Sequence, residues 1–140
     1  FLGEHHMTIE FVSIFSTKIC TENPDKIYVF GDNFTRYGKR GQAVVRGCKN
    51  TYGIPTKVRP TMDDDAFLSD DTLDSYIMHL ARYKAELLEL SKTHTLVFPI
   101  GGIGTGLSQM PYRCPQCFKA LSDMLETFTY YKHTETGFVL

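Results

Sequence analysis

Two glycine-rich segments, each directly after a short apolar run, constrain this chain more than any other feature of its sequence. The apolar runs are residues 26–30 (K-I-Y-V-F) and 95–99 (T-L-V-F-P), and the glycine-rich segments that follow them span 31–41 and 100–110. Near-continuous apolar runs of this length are typical of strands that are covered on both faces. Because ligands of open α/β sheets gather at the carboxyl ends of the strands, we expect both segments at one edge of a sheet.

Strands and helices alternate along the rest of the chain. Residues 8–15 and 51–55 are rich in β-branched and aromatic residues and predict two further strands. Apolar residues at three-four spacing predict helices that end near Ser91 and Phe128, and residues 42–48 can form a short helix. Residues 130–131 and 138–140 are expected to be final strands. This alternation predicts an α/β protein, a three-layer α/β/α sandwich with a mixed, mostly parallel central sheet.

Length and charge predict one domain and argue against several classes of partner. The chain has 140 residues, of which 42% are hydrophobic. Residues 1–6 resemble a cloning remnant ahead of Met7, and residues 7–140 are expected to form a single domain. A net charge of −1 gives no bulk positive field for nucleic acid or membrane lipid. Because no apolar stretch suits a membrane span and no signal peptide follows Met7, we expect a cytoplasmic protein.

Two features could suggest a metal but do not lead us to predict one. Cys114 and Cys117 have the C-x-x-C spacing of zinc and redox sites. No second closely spaced Cys/His pair follows Met7, and the motif lies in a proline-rich turn rather than directly after a strand. The five aspartates between Asp63 and Asp71 lack the spacing of a calcium loop, so we interpret them as a solvated segment with a helix cap. No metal or cofactor is therefore predicted.

The second glycine-rich segment has the composition of an anion-binding loop. It places four glycines within residues 101–106, which allows positive φ angles and a close approach of the backbone to a ligand. Successive backbone N–H groups can then form a concave nest for a phosphate or diphosphate. The segment has neither the Gly-Lys-Ser/Thr of a P-loop nor the spacing of a dinucleotide-binding fingerprint. The alternative interpretation is a flexible or tightly packed turn between a strand and a helix.

The first glycine-rich segment combines polar side chains with glycine. Asp32 and Asn33 follow Gly31 at the end of a predicted strand, where their side chains could reach sugar hydroxyls. Gly38 and Gly41 bracket two cations, Lys39 and Arg40. The backbone N–H groups of Gln42 and Ala43, at the start of the next helix, could add hydrogen-bond donors. The alternative is an Asx-turn followed by a solvated basic loop.

The strand at 51–55 ends at the same predicted edge. It is followed by Thr56, a candidate ligand contact, and by Lys57, which we interpret as a surface lysine. Three aromatic residues nearby could stack on a base or pack in the core: Phe34, Tyr37 and Tyr52.

These segments together resemble the macrodomain, the ADP-ribose-binding α/β/α module. The resemblance covers about residues 26–125 and depends on V-F-P-I-G-G-I-G-T-G at 97–106, V-F-G-D-N at 29–33 and T-Y-G-I-P-T at 51–56. The chain is most similar to a divergent set of uncharacterised macrodomain-like proteins from bacteria and their tailed phages. Residues 8–20 lack the Gly-Asp pair with which macrodomains read the adenine amine.

The resemblance implies a set of binding residues. The two glycine loops would clamp the diphosphate and the distal ribose, and Asn33 would orient that ribose, which makes it the one candidate catalytic residue. The binding residues implied by the resemblance are Gly38, Gly41, Gln42, Ala43, Gly101, Gly102, Ile103, Gly104, Thr105 and Gly106. Gly31, Asp32 and Thr56 complete the candidate site from their own positions at strand ends.

The sequence thus predicts a protein that binds ADP-ribose, or a related NAD-derived nucleotide, as its small-molecule partner and without a metal. One alternative is a hydrolase of an ADP-ribosyl bond or of an ADP-ribose phosphate ester. Another is a phage counter-defence protein that sequesters a signalling nucleotide. A module that binds nucleic acid or protein is disfavoured by the near-zero net charge.

Overall fold

The computed structural model describes residues 7–136, with side chains described up to residue 129. The predicted cloning remnant at 1–6 and the predicted strand at 138–140 lie outside the described residues. The strands are β1 (Ile9–Val12), β2 (Lys26–Asn33), β3 (Thr51–Lys57) and β4 (Thr95–Pro99). The helices are α1 (Thr17–Glu22), α2 (Leu73–Leu90), α3 (Met110–Arg113) and α4 (Pro115–Thr136), with 3-10 helices at Gly41–Gly47, Asp64–Ala66 and Asp70–Thr72.

The four described strands form one sheet in the order β1-β4-β2-β3. All three neighbouring strand pairs are parallel. The expectation of a mixed sheet is therefore wrong for this part of the chain. Parallel neighbours require crossover connections, and helical segments between the strands supply them, so each strand starts again from the same end of the sheet.

Helices cover both faces of the sheet, and the alternation of side chains along the strands shows this directly. On β2, Ile27 and Val29 belong to the large apolar cluster that also contains Leu87 of α2 and Leu121 of α4. The intervening Tyr28 faces a second cluster that includes residues of α1 and of the 3-10 helix Gly41–Gly47. The α/β class and the layered arrangement that the sequence predicted are thus confirmed.

The C-terminal helix is longer than predicted. Residues 130–131 lie inside α4, so the strand expected there is wrong. The apolar spacing of Leu121, Met124 and Phe128, all in the main core cluster, continues as a helix. Asp70 fixes the start of α4, because its carboxylate accepts hydrogen bonds from the backbone N–H groups of Gln116 and Cys117, the latter at 3.1 Å.

Other boundaries differ modestly from the expectations. The predicted strand at 8–15 is confined to Ile9–Val12, and the short helix expected at 42–48 is a 3-10 helix, Gly41–Gly47. α1 and α3 were not predicted, because helices this short carry too few residues to show an apolar period. Among the described residues, no helix is long and apolar enough to cross a membrane.

Both glycine-rich segments leave the same edge of the sheet, as predicted. β2 and β4 are parallel neighbours, and the segments follow their carboxyl ends. β3 lies on the other side of β2 and ends at this edge too.

Candidate functional site

The sheet divides at the edge where the glycine-rich segments begin. β2 pairs with β4 only from Lys26 to Tyr28, yet it continues beside β3 as far as Asn33. The pairing of β2 with β4 therefore ends five residues before the pairing of β2 with β3. Such a division at the carboxyl ends of parallel strands is where α/β proteins place ligands.

The side-chain amide of Gln42 spans this division. Its Oε1 accepts a hydrogen bond from the Gly31 N–H at 2.8 Å, and its Nε2 donates to the Gly102 carbonyl at 2.8 Å. Beyond the last paired residues of β2 and β4, the amide thus joins the first glycine-rich segment to the second. Gln42, which we predicted as a contributor of backbone donors, instead positions the two loops through its side chain.

A β-bulge shapes the ends of β2 and β3. The register between these strands shifts between Asp32 and Asn33, so that Asn33 lies opposite Lys57. Thr56 is the additional residue, and its buried hydroxyl donates to the Asp32 carbonyl at 3.0 Å. Bulges of this kind redirect side chains at strand ends.

Asp32 is a buried carboxylate at the centre of an ion cluster with two partly exposed arginines, rather than a free sugar ligand. Arg46 donates to its two carboxylate oxygens at 2.6 and 3.0 Å, and Arg36 donates to Oδ2 at 2.8 Å. Burial alone would raise the pKa of Asp32, but the hydrogen bonds from Arg46, Arg36 and the Asn33 N–H hold it below its ordinary value. Because both oxygens are engaged, Asp32 stabilises the loop and does not present an acceptor to a ligand.

Asn33 forms the Asx-turn that was the alternative interpretation of this segment. Its Oδ1 accepts from the Thr35 N–H at 3.0 Å, and its Nδ2 donates to the Tyr37 carbonyl at 2.8 Å. Arg46 donates to the same Tyr37 carbonyl at 3.0 Å. One Nδ2 hydrogen of Asn33 remains for a ligand, and its contact with a ribose stays a prediction.

The second glycine-rich segment is fixed by its backbone and by steric contact. Gly102 and Gly104 have φ angles of 92° and 90°. A Cβ atom on Gly104 would lie 2.7 Å from Sδ of the buried Met110, and the Met110 N–H donates to the Gly104 carbonyl at 3.0 Å. The tightly packed turn that was the alternative interpretation thus describes Gly104 well.

A cavity of about 530 Å³ lies between the two segments, a volume in the usual range for small-molecule sites. The structure brings ten of the predicted residues to its wall: Gly31, Asp32, Asn33, Gly38, Gly41, Gln42, Ala43, Thr56, Gly104 and Gly106. It does not bring Gly101, Gly102, Ile103 or Thr105 there. Ile103 packs in the core, and the Thr105 hydroxyl donates to the Gly101 carbonyl at 2.9 Å.

Several wall residues were missed or given another role by the sequence. Pro60 and Met62 come from the segment after β3, and Leu107 and Ser108 follow the last glycine of the second loop. One sequence feature could have indicated these residues: both segments follow strands that end at the carboxyl edge of the sheet. Tyr37, Arg40 and Lys57 also line the cavity.

Lys57 is a buried cation, not the surface lysine that we expected. It is 7% exposed, and its Nζ donates to the Thr61 carbonyl and lies 4.4 Å from the centre of the Phe67 ring. No carboxylate within the described part of the chain pairs with it. Burial, together with the nearby charges of Arg113 and Arg59, lowers the pKa of Lys57 from its ordinary value. An unpaired cation in a cavity wall favours an anionic ligand.

One cluster within the described residues could offer ligands to a soft metal. Single ligand atoms of Asp70, Cys114 and Cys117 all lie within 4.8 Å of one another. Burial, the main cause, raises the pKa of Cys114 to about 12 and also raises that of Cys117. Both thiols are fully buried in the main core, and the Asp70 carboxylate already caps α4. Packing of the two thiols in the core and capping of α4 by Asp70 therefore explain why these three side chains lie close together.

A comparison with known protein families identifies the family of this chain. Residues 10–124 match the profile of a family of unknown function, DUF7831. The chain belongs to the DUF7831 family. Searches of curated proteins and of solved structures gave no match to this DUF7831 member. The cavity of this member lies within the matched region, since its wall residues run from Gly31 to Ser108.

Proposed function

We propose that this protein binds ADP-ribose, or a related NAD-derived nucleotide, in the cavity between its two glycine-rich segments. The main observation behind the proposal is that both glycine-rich segments contribute to the wall of one cavity. Two glycine loops leave neighbouring parallel strands, and the Gln42 amide ties them together around one cavity. This arrangement, with the macrodomain-like sequence segments, supports a ligand that both loops contact.

The charges around the cavity support an anionic ligand. Asp32 contributes the one carboxylate among the described wall residues, and Arg36 and Arg46 neutralise it. Lys57 and Arg40 add positive charge without an ion-pair partner in the described part of the chain. A diphosphate could be bound by these side chains and by backbone N–H groups, with no need for a metal.

Hydrolysis of an ADP-ribosyl bond or of an ADP-ribose phosphate ester is the second candidate function. The observation that favours it is the presence of Lys57, with its lowered pKa, and of the Ser108 hydroxyl in the same wall. No partner for that hydroxyl lies within the described residues. Product analysis separates the candidates, because a binder or a nucleotide-sequestering phage protein releases its ligand intact.

Calorimetric titration with ADP-ribose, beside AMP and NAD, tests the proposal. Gly106 and Gly101 make a matched pair of variants, because neither has a positive φ and a Cβ on either meets no atom within 4 Å. Gly106 lines the cavity and Gly101 does not. We expect Gly106→Val to weaken ADP-ribose binding at least tenfold and Gly101→Val to leave it unchanged. Equal effects of the two variants, or no binding by the parent, would contradict the proposal.

The pH dependence of binding tests the role of Lys57. The ammonium form attracts an anion, and the lowered pKa means that this form is lost at a lower pH than in an ordinary lysine. Affinity should therefore fall as the pH rises through that pKa, with proton uptake on binding. Lys57→Met should bind more weakly and show a flat profile over the same range. Matching pH profiles in parent and variant would remove Lys57 from the site.

A further inference from the structure

We propose that the site holds the base of its nucleotide by stacking on Tyr37 and does not read the base edge, so that it accepts purine and pyrimidine nucleotides alike. This inference rests on the proposed function and names the class of nucleotide that the site takes. Two independent sets of contacts support it: the way in which the Tyr37 loop is held, and the engagement of the acceptor side chains in the wall.

The backbone around Tyr37 is firmly held although its side chain is exposed. Its carbonyl accepts hydrogen bonds from Asn33 and Arg46, and the preceding Arg36 has a positive φ of 62° while pairing with Asp32. A left-handed non-glycine residue is energetically costly and persists only where its surroundings impose it. Tyr37 itself is 72% exposed and lines the cavity. The loop thus presents an aromatic residue to the cavity on a fixed backbone.

Further apolar surface surrounds the same cavity. Met62 is 51% exposed and Leu107 is 53% exposed, and they come from two segments other than that of Tyr37. Tyr37 offers an aromatic ring and Leu107 an aliphatic side chain to a flat apolar group. Met62 offers its apolar chain, while its sulfur accepts from Lys57 Nζ at 3.7 Å. A base has such a face whatever its identity, which is why aromatic stacking tolerates all bases.

The wall leaves no carboxylate or amide oxygen free to select a base. Both Asp32 oxygens accept from arginines, Asn33 Oδ1 accepts from Thr35, and Gln42 Oε1 accepts from Gly31. The described wall side chains left for a ligand are cations and hydroxyls, at Arg40, Lys57, Ser108 and Tyr37, and one Nδ2 hydrogen of Asn33, which the proposed function directs to the ribose. Cations suit phosphates, whereas discrimination between bases depends on paired donors and acceptors set against the base edge. The wall therefore recognises the anion and leaves the base to stacking.

The test is a set of titrations with ADP-ribose and its guanine, uracil and cytosine counterparts, with ribose 5-phosphate as a ligand that has no base. We expect the four nucleotides to bind the parent within about tenfold of one another. Tyr37→Ala should weaken all four by about 5- to 150-fold, the range for loss of one base-stacking contact. It should leave competition by ribose 5-phosphate unchanged. Tyr37→Phe should bind like the parent, because it keeps the ring.

Tyr112→Ala is the matched control, because Tyr112 is 83% exposed and lies outside the cavity wall. This variant should bind like the parent. Adenine selectivity of a hundredfold or more in the parent would overturn the inference while leaving the proposed function intact. So would a Tyr37→Ala variant that binds all four nucleotides as the parent does. A parent that binds none of the nucleotides would overturn the inference and the proposed function together.

Discussion

The two glycine-rich loops meet at one cavity but are fixed by different forces. The loop after β2 depends on side-chain charge and amide groups, since Arg36 and Arg46 enclose the Asp32 carboxylate and Asn33 binds the Tyr37 carbonyl. The loop after β4 depends on backbone hydrogen bonds and close packing, with Gly104 directly against Met110.

This difference shows that a glycine-rich composition does not by itself define a binding loop. In the first loop the glycines allow turns, while charged side chains fix the shape. In the second, Gly104 is required by the core, and Gly106 is open toward the cavity. The stability of the first loop should therefore depend on pH and on the charges of its side chains. The stability of the second loop should depend on the size of the side chain that replaces each glycine.

Asp32→Asn should have the largest effect on stability. Removing the charge of this buried carboxylate leaves Arg36 and Arg46 without their ion-pair partner, and we expect the free energy of unfolding at pH 7 to fall by about 3–5 kcal/mol. Urea denaturation measures this. Asp65→Asn is the control, because its side chain is 79% exposed and pairs with Arg59. The control should lose less than about 1 kcal/mol.

Acid should reduce the difference between parent and Asp32→Asn. The folded pKa of Asp32 is lowered, so its contribution is present above the unfolded value near 3.8 and is lost as the pH falls through the folded pKa. A stability difference that stays constant down to pH 2 would mean that the ion cluster does not hold the loop.

Gly104→Val should have the next largest effect and tests the steric basis of the second loop. A β-branched residue would require the space of Met110 Sδ and a strained positive φ, at a combined cost of about 2–4 kcal/mol of unfolding free energy. Gly106→Val should cost less than about 0.5 kcal/mol, because its Cβ meets open space. Thermal or urea unfolding gives both values, and equal stability of the two variants would contradict the steric account.

Gln42→Leu should affect both loops at once. The change leaves the Gly31 N–H and the Gly102 carbonyl without their partner, and we expect a loss of about 1–3 kcal/mol in unfolding free energy together with weaker ADP-ribose binding. Gln116→Leu, at an exposed position on α4, is the control. Normal binding by a folded Gln42→Leu protein would show that the two loops hold their positions independently.

Arg40→Ala should have the smallest effect, on binding alone. Its side chain is exposed in the cavity wall, where a charge contact is worth about 0–1 kcal/mol, so affinity should fall less than about fivefold and become less sensitive to salt. Lys39→Ala should not change affinity, because Lys39 lies outside the wall. A thousandfold loss for Arg40→Ala would make side-chain charge, rather than the loop backbone, the main source of recognition.

The sequence predicted the parts of the fold that local patterns encode. The apolar run 95–99 is β4, the three-four spacing before Ser91 is α2, and the rule for parallel strands placed both loops at one edge. It could not predict partners that only the folded chain brings together. Nothing in the sequence indicates that Arg46 pairs with Asp32. Nothing indicates either that Gln42 binds the carbonyl of Gly102, 60 positions away. Lys57 was predicted to be exposed because its burial depends on Thr61 and Phe67 in the segment that follows it, and no local pattern predicts how that segment folds back.

The position of β4 in the sheet has a consequence for the order of assembly. β4 is the last described strand in the chain, yet it lies between β1 and β2. Within the described part of the chain β1 pairs with β4 alone, so that pairing waits until residues 95–99 emerge during synthesis. The Gly102 carbonyl that Gln42 requires follows them. Contacts between such distant residues slow folding, because a long loop must close before they form. The cavity is therefore completed only after the central strand has inserted, and a nascent chain that stops short of Thr95 has no second wall.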